Sequence, residues 1–168
     1  SRLKNVAIPD SVTSIGEGAF SGCTSLKEVI LSEKYIGELS DYAFNECTSL
    51  EKIVIPSNYS KIGNYAFKNC SNLKEVQIKN GINTIGNGSF YACTSLEKIN
   101  LPINIKTIGE GIFDDCTKIE VVIPEGWENS KGICEWFDDA VDEVFDDECN
   151  VEFVRNFVIK EAAKDSPQ

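Results

Sequence analysis

Histidine and methionine are both absent from the chain of 168 residues. Without imidazole there is no customary general base, no Ser or Cys triad of the usual kind and no His-ligated metal. A cysteine nucleophile would lack its ordinary partner. Basic clusters are missing too, and the formal net charge of −11 sets the chain against nucleic acid, whose phosphates are held by grouped Lys and Arg. No apolar run approaches the length of a membrane-spanning helix, so membrane insertion is not expected. An initiating Met and a leader are also lacking, and Ser1 opens inside a repeat copy. The chain therefore reads as a mature fragment or an excised piece of a longer protein.

What is present is a repeat. Phe20, Phe44, Phe67, Phe90 and Phe113 stand 24, 23, 23 and 23 residues apart, a fixed period that signals a solenoid. Three residues after each Phe comes a Cys (Cys23, Cys47, Cys70, Cys93, Cys116), and three after that an aliphatic residue (Leu26, Leu50, Leu73, Leu96, Ile119). The register then reads L-x-x-V-x-L, as in Leu50/Ile53/Ile55 and Leu73/Val76/Ile78, with Ile119/Val121/Ile123 one residue shorter. Leu3/Val6/Ile8 open a further copy, giving six strand segments and five Phe-Cys turns. Alternation of apolar and polar positions within each segment predicts a half-buried strand.

Upstream of the Phe lies Ile-Gly in four copies and Leu39-Ser40 in the fifth; the Gly is expected at a tight bend. Strands stacked at about 4.8 Å would build a ladder of roughly 24 Å, with the Phe column piled inside opposite them. Lys27, Glu51, Lys74, Glu97 and Glu120 form one charged column, and Glu28, Lys52, Glu75 and Lys98 its neighbour. Alternating sign along such columns favours one register by a few tenths of a kcal/mol per pair. A solvated face that aids solubility is the plainer account of the same residues.

The pattern I-G-x-x-A-F-x-x-C-x-x-L-x-x-V-x-L-P, carried by residues 3 to about 124, resembles the BspA-like leucine-rich repeats, also called the Treponema pallidum type. Departures are Leu39-Ser40 for Ile-Gly, Ser89 and Ile112 for the Ala before Phe, and Ser32 and Lys79 for Pro. The resemblance implies an α/β repeat solenoid, a right-handed leucine-rich-repeat coil with one parallel strand ladder. It also implies an extracellular or cell-surface protein of an anaerobic bacterium or parasitic protist, used in adhesion and protein binding.

Residues 1–124 are thus assigned to the solenoid and 125–168 to a C-terminal cap. From Glu125 onward 13 acidic and 4 basic residues give −9, so the acidity belongs to this segment. Ile133, Trp136, Phe137, Ala140, Val141, Val144 and Phe145 follow a helical period and predict one apolar helix face. Val151, Val154, Phe157, Val158 and Ala162 read as a second, weaker amphipathic helix, with a strand over Val151 to Phe157 as the alternative. Such a segment suits the exposed end of a solenoid; a free helix docking Trp136 and Phe137 on a partner is the alternative. Asp138, Asp139, Asp142 and Glu143 lack the loop that wraps calcium and read as a solvated face.

The five cysteines of the repeat are expected as unpaired, small buried hydrophobes. They are spaced by whole coils, unlike the close pairs of zinc sites. Cys134 and Cys149 lie outside the ladder and are candidates for a disulfide, two free thiols being the alternative. Thr and Ser after the cysteines are expected to bond to local backbone. No catalytic, cofactor-binding or metal-binding residues are assigned, because the carboxylates lie in columns or on a helix surface, the glycines make no phosphate loop, and nothing points to an enzyme.

That leaves surface. The strand positions open to a ligand are Ala7, Ile30, Val54, Gln77, Asn100 and Val122, flanked by Asn5, Glu28, Lys52, Glu75 and Lys98. Ile30, Val54, Gln77 and Asn100 with those four charges form the candidate ligand-binding face. Ile30 and Val54 are expected as outward apolar neighbours, which can mark a protein contact; β-branched residues also suit strands where nothing binds. Tyr35, Tyr42, Tyr59, Tyr65 and Tyr91 are assigned to connecting turns as further aromatic anchors. The expected partner is a protein or a glycan, host surface or matrix proteins among the candidates. An architectural spacer and an intracellular scaffold are the other classes.

Overall fold

The computed structural model describes residues 2–35, 37–117 and 119–122. Two parallel ladders run along it. One is a six-stranded sheet of β1 (Asn5–Ala7), β2 (Glu28–Ile30), β4 (Lys52–Ile55), β6 (Glu75–Ile78), β8 (Lys98–Asn100) and β10 (Glu120–Val122), in that spatial order. The other has four strands, β3 (Gly37–Leu39), β5 (Tyr59–Ile62), β7 (Thr84–Ile85) and β9 (Thr107–Ile108). The expectation of one ladder is thereby corrected. The second ladder is built from the two to four residues ending at the Ile of Ile-Gly, too short a stretch to show a period of two. It forms because coils stacked in register must pair the backbone of every side, not of one alone.

Among the described residues there is no helix. The acidic segment 125–168, with its predicted helix, cap role and Cys134 and Cys149, lies outside them.

The apolar columns go inward as expected. Leu26, Leu50, Leu73 and Leu96 are fully buried, as are Phe44, Phe67, Phe90 and Phe113. Successive Phe rings stack with centroids 5.3, 5.4, 5.4 and 6.1 Å apart and planes within 23°. Phe20, at the start of the pile, is half-buried.

The turn around each Phe is the third hydrogen-bonded side. Phe44 donates its N–H to the Ala66 carbonyl at 2.8 Å, and Tyr42 and Glu46 donate likewise to Asn64 and Lys68 of the next coil. The alternating residues bond within their own turn, as Cys47 does to the Phe44 carbonyl at 3.2 Å. The cysteine thiols do more than fill space. Sγ of Cys47, Cys70, Cys93 and Cys116 each donates to the Phe carbonyl of the preceding coil at 3.0 to 3.2 Å, and all five described cysteines are free thiols. The Thr and Ser hydroxyls also reach a neighbouring coil, not local backbone: Thr48 and Ser49 both donate to the Thr24 carbonyl.

Glycine at Ile-Gly opens the bend as expected, the Gly63 carbonyl accepting from the Ala66 N–H at 3.3 Å, and it also answers to a neighbour. A Cβ at Gly86 would stand 2.6 Å from the Asn64 backbone nitrogen of the coil before, and one at Gly63 would stand 2.5 Å from that of Asp41. Gly16 lies in the first complete coil and would meet nothing within 4 Å.

One coil is longer than the others. Leu31 to Leu39 spans one residue more than Ile55 to Ile62, and the second ladder shifts register between Gly37 and Leu39. At the far end Glu120 pairs with Lys98, Val121 with Ile99 and Val122 with Asn100. Glu120 therefore continues the Glu28, Lys52, Glu75, Lys98 column, not the Glu97 column expected for it, because the deletion falls before the strand.

Candidate ligand-binding face

In the six-stranded sheet the side chains of one strand alternate between core and solvent. Val29, Ile53, Val76, Ile99 and Val121 are buried, which turns the residue after each of them outward. Ile30 is 58% exposed, Gln77 and Asn100 are exposed, and Val54 and Val122 are half-covered. The register places Ala7 against Ile30, and Val54 against Gln77 and then Asn100. Beside this column stand Glu28, Lys52, Glu75 and Lys98, paired in that order. Lys52 Nζ lies 3.5 Å from Glu75 Oε1, both more than half exposed, so the pair contributes only a few tenths of a kcal/mol.

The face is not uniform. Between β2 and β4 the ladder is reduced to the single pair Glu28 and Lys52, whereas β4 and β6 pair through four residues. There a shallow groove of about 440 Å³ opens, floored by Ile30, Val54 and Pro56 and rimmed by Lys27, Glu28, Glu51 and Lys52. Of the eight residues expected on the face, Glu28, Ile30, Lys52 and Val54 meet in this groove. Glu75, Gln77, Lys98 and Asn100 extend the flat sheet beyond it. Lys27, Glu33, Glu51 and Pro56 were not among the candidates; the 24-residue interval in a 23-residue pattern is the signal that could have pointed to them.

The tyrosines divide. Tyr35 and Tyr59 are core residues, not surface anchors, with rings 5.1 Å apart. Tyr59 opens β5, and burial pushes its phenol up to about 12. Tyr59 departs from its expected turn because the strand it opens is four residues long, too short for its alternation to stand out. Tyr42 is 37% exposed, and Tyr65 and Tyr91 are half-buried. A second concavity of about 520 Å³, between the links that precede β7 and β9, is lined by Asn83, Asn104, Lys106 and the exposed Ile103. Among the described residues no three His, Cys, Asp or Glu side chains group as a metal site.

A family model described as a BspA type leucine rich repeat region matches residues 1–120 in six copies. The chain belongs to this family. The leucine-rich repeat protein of T. pallidum is similar at 28% identity and a TM-score of 0.71, over 84% of this chain and 69% of that one. The pneumococcal vaccine antigen PcpA is 28% identical with a TM-score of 0.64, over 74% of this chain and 31% of its own. A leucine-rich cell surface protein of Faecalibacterium prausnitzii is 26% identical with a TM-score of 0.55, over 71% of this chain and 39% of its own. This BspA-type chain thus spans about a third of the pneumococcal antigen. No curated protein sequence matches it significantly. No helix among the described residues is long and apolar enough to cross a membrane.

Proposed function

We propose that the chain is a non-catalytic recognition module of a bacterial surface or secreted protein, binding a protein partner on the strand face of its six-stranded sheet. The observation that carries this reading is the groove at Ile30 and Val54. An aliphatic side chain 58% exposed at the end of the second of six strands, beside a half-covered apolar residue and flanked by charges of both signs, has the make-up of an interface core with a polar rim. The naming of one similar protein as a vaccine antigen and another as a cell surface protein supports the location. Leucine-rich repeats as a family supply the protein-binding role, with host surface and matrix proteins the first partners to test.

The test is a binding screen of the purified chain against host matrix proteins, repeated with Ile30→Asp/Val54→Asp. Ile30 is exposed and Val54 half-covered, so the substitutions alter the groove without touching the buried columns. A partner whose affinity falls about tenfold or more, equivalent to about 1.4 kcal/mol, supports the face; undiminished affinity removes it. A second reading is an architectural spacer with no ligand of its own. It gains if no partner is found.

A further inference from the structure

Asparagine stands before glycine twice in the chain, at Asn80-Gly81 and at Asn87-Gly88. Asparagine is among the thermally labile residues, and a glycine after it leaves the next backbone nitrogen unhindered by a side chain. That nitrogen is free to attack the side-chain amide before it. Both asparagines are exposed, so exposure does not separate the two sites.

The coil stack does. At Asn87 both reacting groups are held by the next coil: Oδ1 accepts from the Glu110 N–H at 3.0 Å, and the Gly88 N–H donates to the Glu110 carbonyl at 2.9 Å. The Asn87 N–H and carbonyl bond back to Asn64 and Tyr65 of the coil before, each at 2.8 Å. Bringing the Gly88 nitrogen onto the Asn87 side chain means pulling both off Glu110. Asn80 lies in the turn between β6 and β7, and among the described residues its side chain bonds to nothing. The Gly81 N–H donates only to the Lys79 carbonyl at 2.8 Å, across one residue of the same turn. Asn104 Nδ2 donates to the Asn80 carbonyl at 2.9 Å. That bond draws charge out of the Asn80-Gly81 peptide group and favours loss of its proton.

We propose that Asn80 is a site of self-modification by deamidation, and that Asn87, in the same dipeptide, is protected by the stack. The Gly81 nitrogen gives up its proton and bonds to Asn80 Cγ, while the Cγ–Nδ2 bond breaks and ammonia leaves with that proton. Water then opens the cyclic imide at either of its two ring C–N bonds, leaving aspartate or isoaspartate. Either product places a carboxylate on the turn. Isoaspartate also adds a carbon to the main chain just before Gly81, where a Cβ would already run into the Ser57 carbonyl. The backbone has no slack there, so the isoaspartate form loosens the link into β7 and the aspartate form does not.

The test ages the full chain in mildly alkaline buffer and follows each site by mass spectrometry, with fragmentation to localise the change and elution to tell the two products apart. Deamidation at Asn80 is expected to run about tenfold or more faster than at Asn87. Its rate should climb with pH, because the Gly81 nitrogen reacts without its proton. Asn80→Gln should remove the signal, and in urea Asn87 should catch up with Asn80. The aged wild type should melt below fresh Asn80→Asp, which carries the new charge without the added carbon. Equal rates at the two sites in the folded chain, or a difference that persists in urea, overturns the proposal. Aged wild type that melts together with Asn80→Asp overturns the loosened link.

Discussion

Replacing Phe67 by alanine tests the stacking itself. The ring is fully buried and lies between Phe44 and Phe90, each 5.4 Å away and within 8° of parallel. Removing a buried phenylalanine costs about 3–5 kcal/mol through lost transfer free energy and the cavity left behind. The two ring pairs put the value toward the upper end, since each contributes about 0.5–1.5 kcal/mol beyond area. At about 4 °C per kcal/mol for a domain of this size, the melting temperature should fall by roughly 12–20 °C. Phe20→Ala should cost visibly less, because Phe20 is half-buried and has a ring on one side only. Lys79→Ala removes one ion pair to Glu33 at 3.7 Å between exposed side chains and should stay within about 0.5 kcal/mol. Circular dichroism melts and urea titrations of the three variants decide the matter. Equal destabilisation by Phe67→Ala and Lys79→Ala would refute an aromatic spine.

Gly86→Ala should destabilise by about 1–3 kcal/mol, because the new methyl must push back the Asn64 backbone, while Gly16→Ala should be neutral; matched urea midpoints would contradict the close approach. Burial pushes the Cys47 thiol from 9.0 up to about 12 and raises those of Cys70 and Cys93 as well. The folded chain therefore holds these protons while the unfolded chain releases them, so their contribution to stability is complete below pH 9.0 and is lost as pH rises from there toward about 12. Melting temperatures of wild type and Cys47→Ser across that range check this, the variant falling less steeply. Native Cys70 and Cys93 should also resist a thiol reagent until urea is added. Deleting residues 127–168 is expected to cause aggregation if the acidic segment covers the last coil, and light scattering of a clear, equally stable truncation would reject the cap.

How far the sequence could be read depended on the length of each signal. The Phe, Cys and Leu columns recur five times, so their inward packing was legible from spacing alone. Strands of the second ladder have as few as two residues, Thr84–Ile85 and Thr107–Ile108, and a period cannot be seen in two residues. That is why spacing alone assigns Tyr59 to a turn, although it opens a strand. The outward column was placed correctly from Ala7 to Val122, since alternation in the first ladder settles which residues face away. The groove is not legible, because the single pair left between β2 and β4 is a property of neighbouring coils and not of either strand's own sequence.

The same separation explains how one stack can carry different surfaces. Coil-to-coil bonds run through backbone groups on three sides, with cysteine thiols bonding to Phe carbonyls within. The outward column of the first ladder lies apart from the Thr, Ser and Asn side chains that also bridge coils, so Ala7, Ile30, Val54, Gln77, Asn100 and Val122 can differ in size and polarity while the strands stay paired. A recognition face can therefore change residue by residue at little cost to the fold. It follows that Ile30→Asp/Val54→Asp should lower the melting temperature by no more than about 6 °C, because the exposed Ile30 is worth about 0.5 kcal/mol, the half-covered Val54 in its strand about 1 kcal/mol, and each kcal/mol about 4 °C. A collapse of stability in that variant would mean that the outward column supports the stack, and the groove would then lose its claim to be a binding surface.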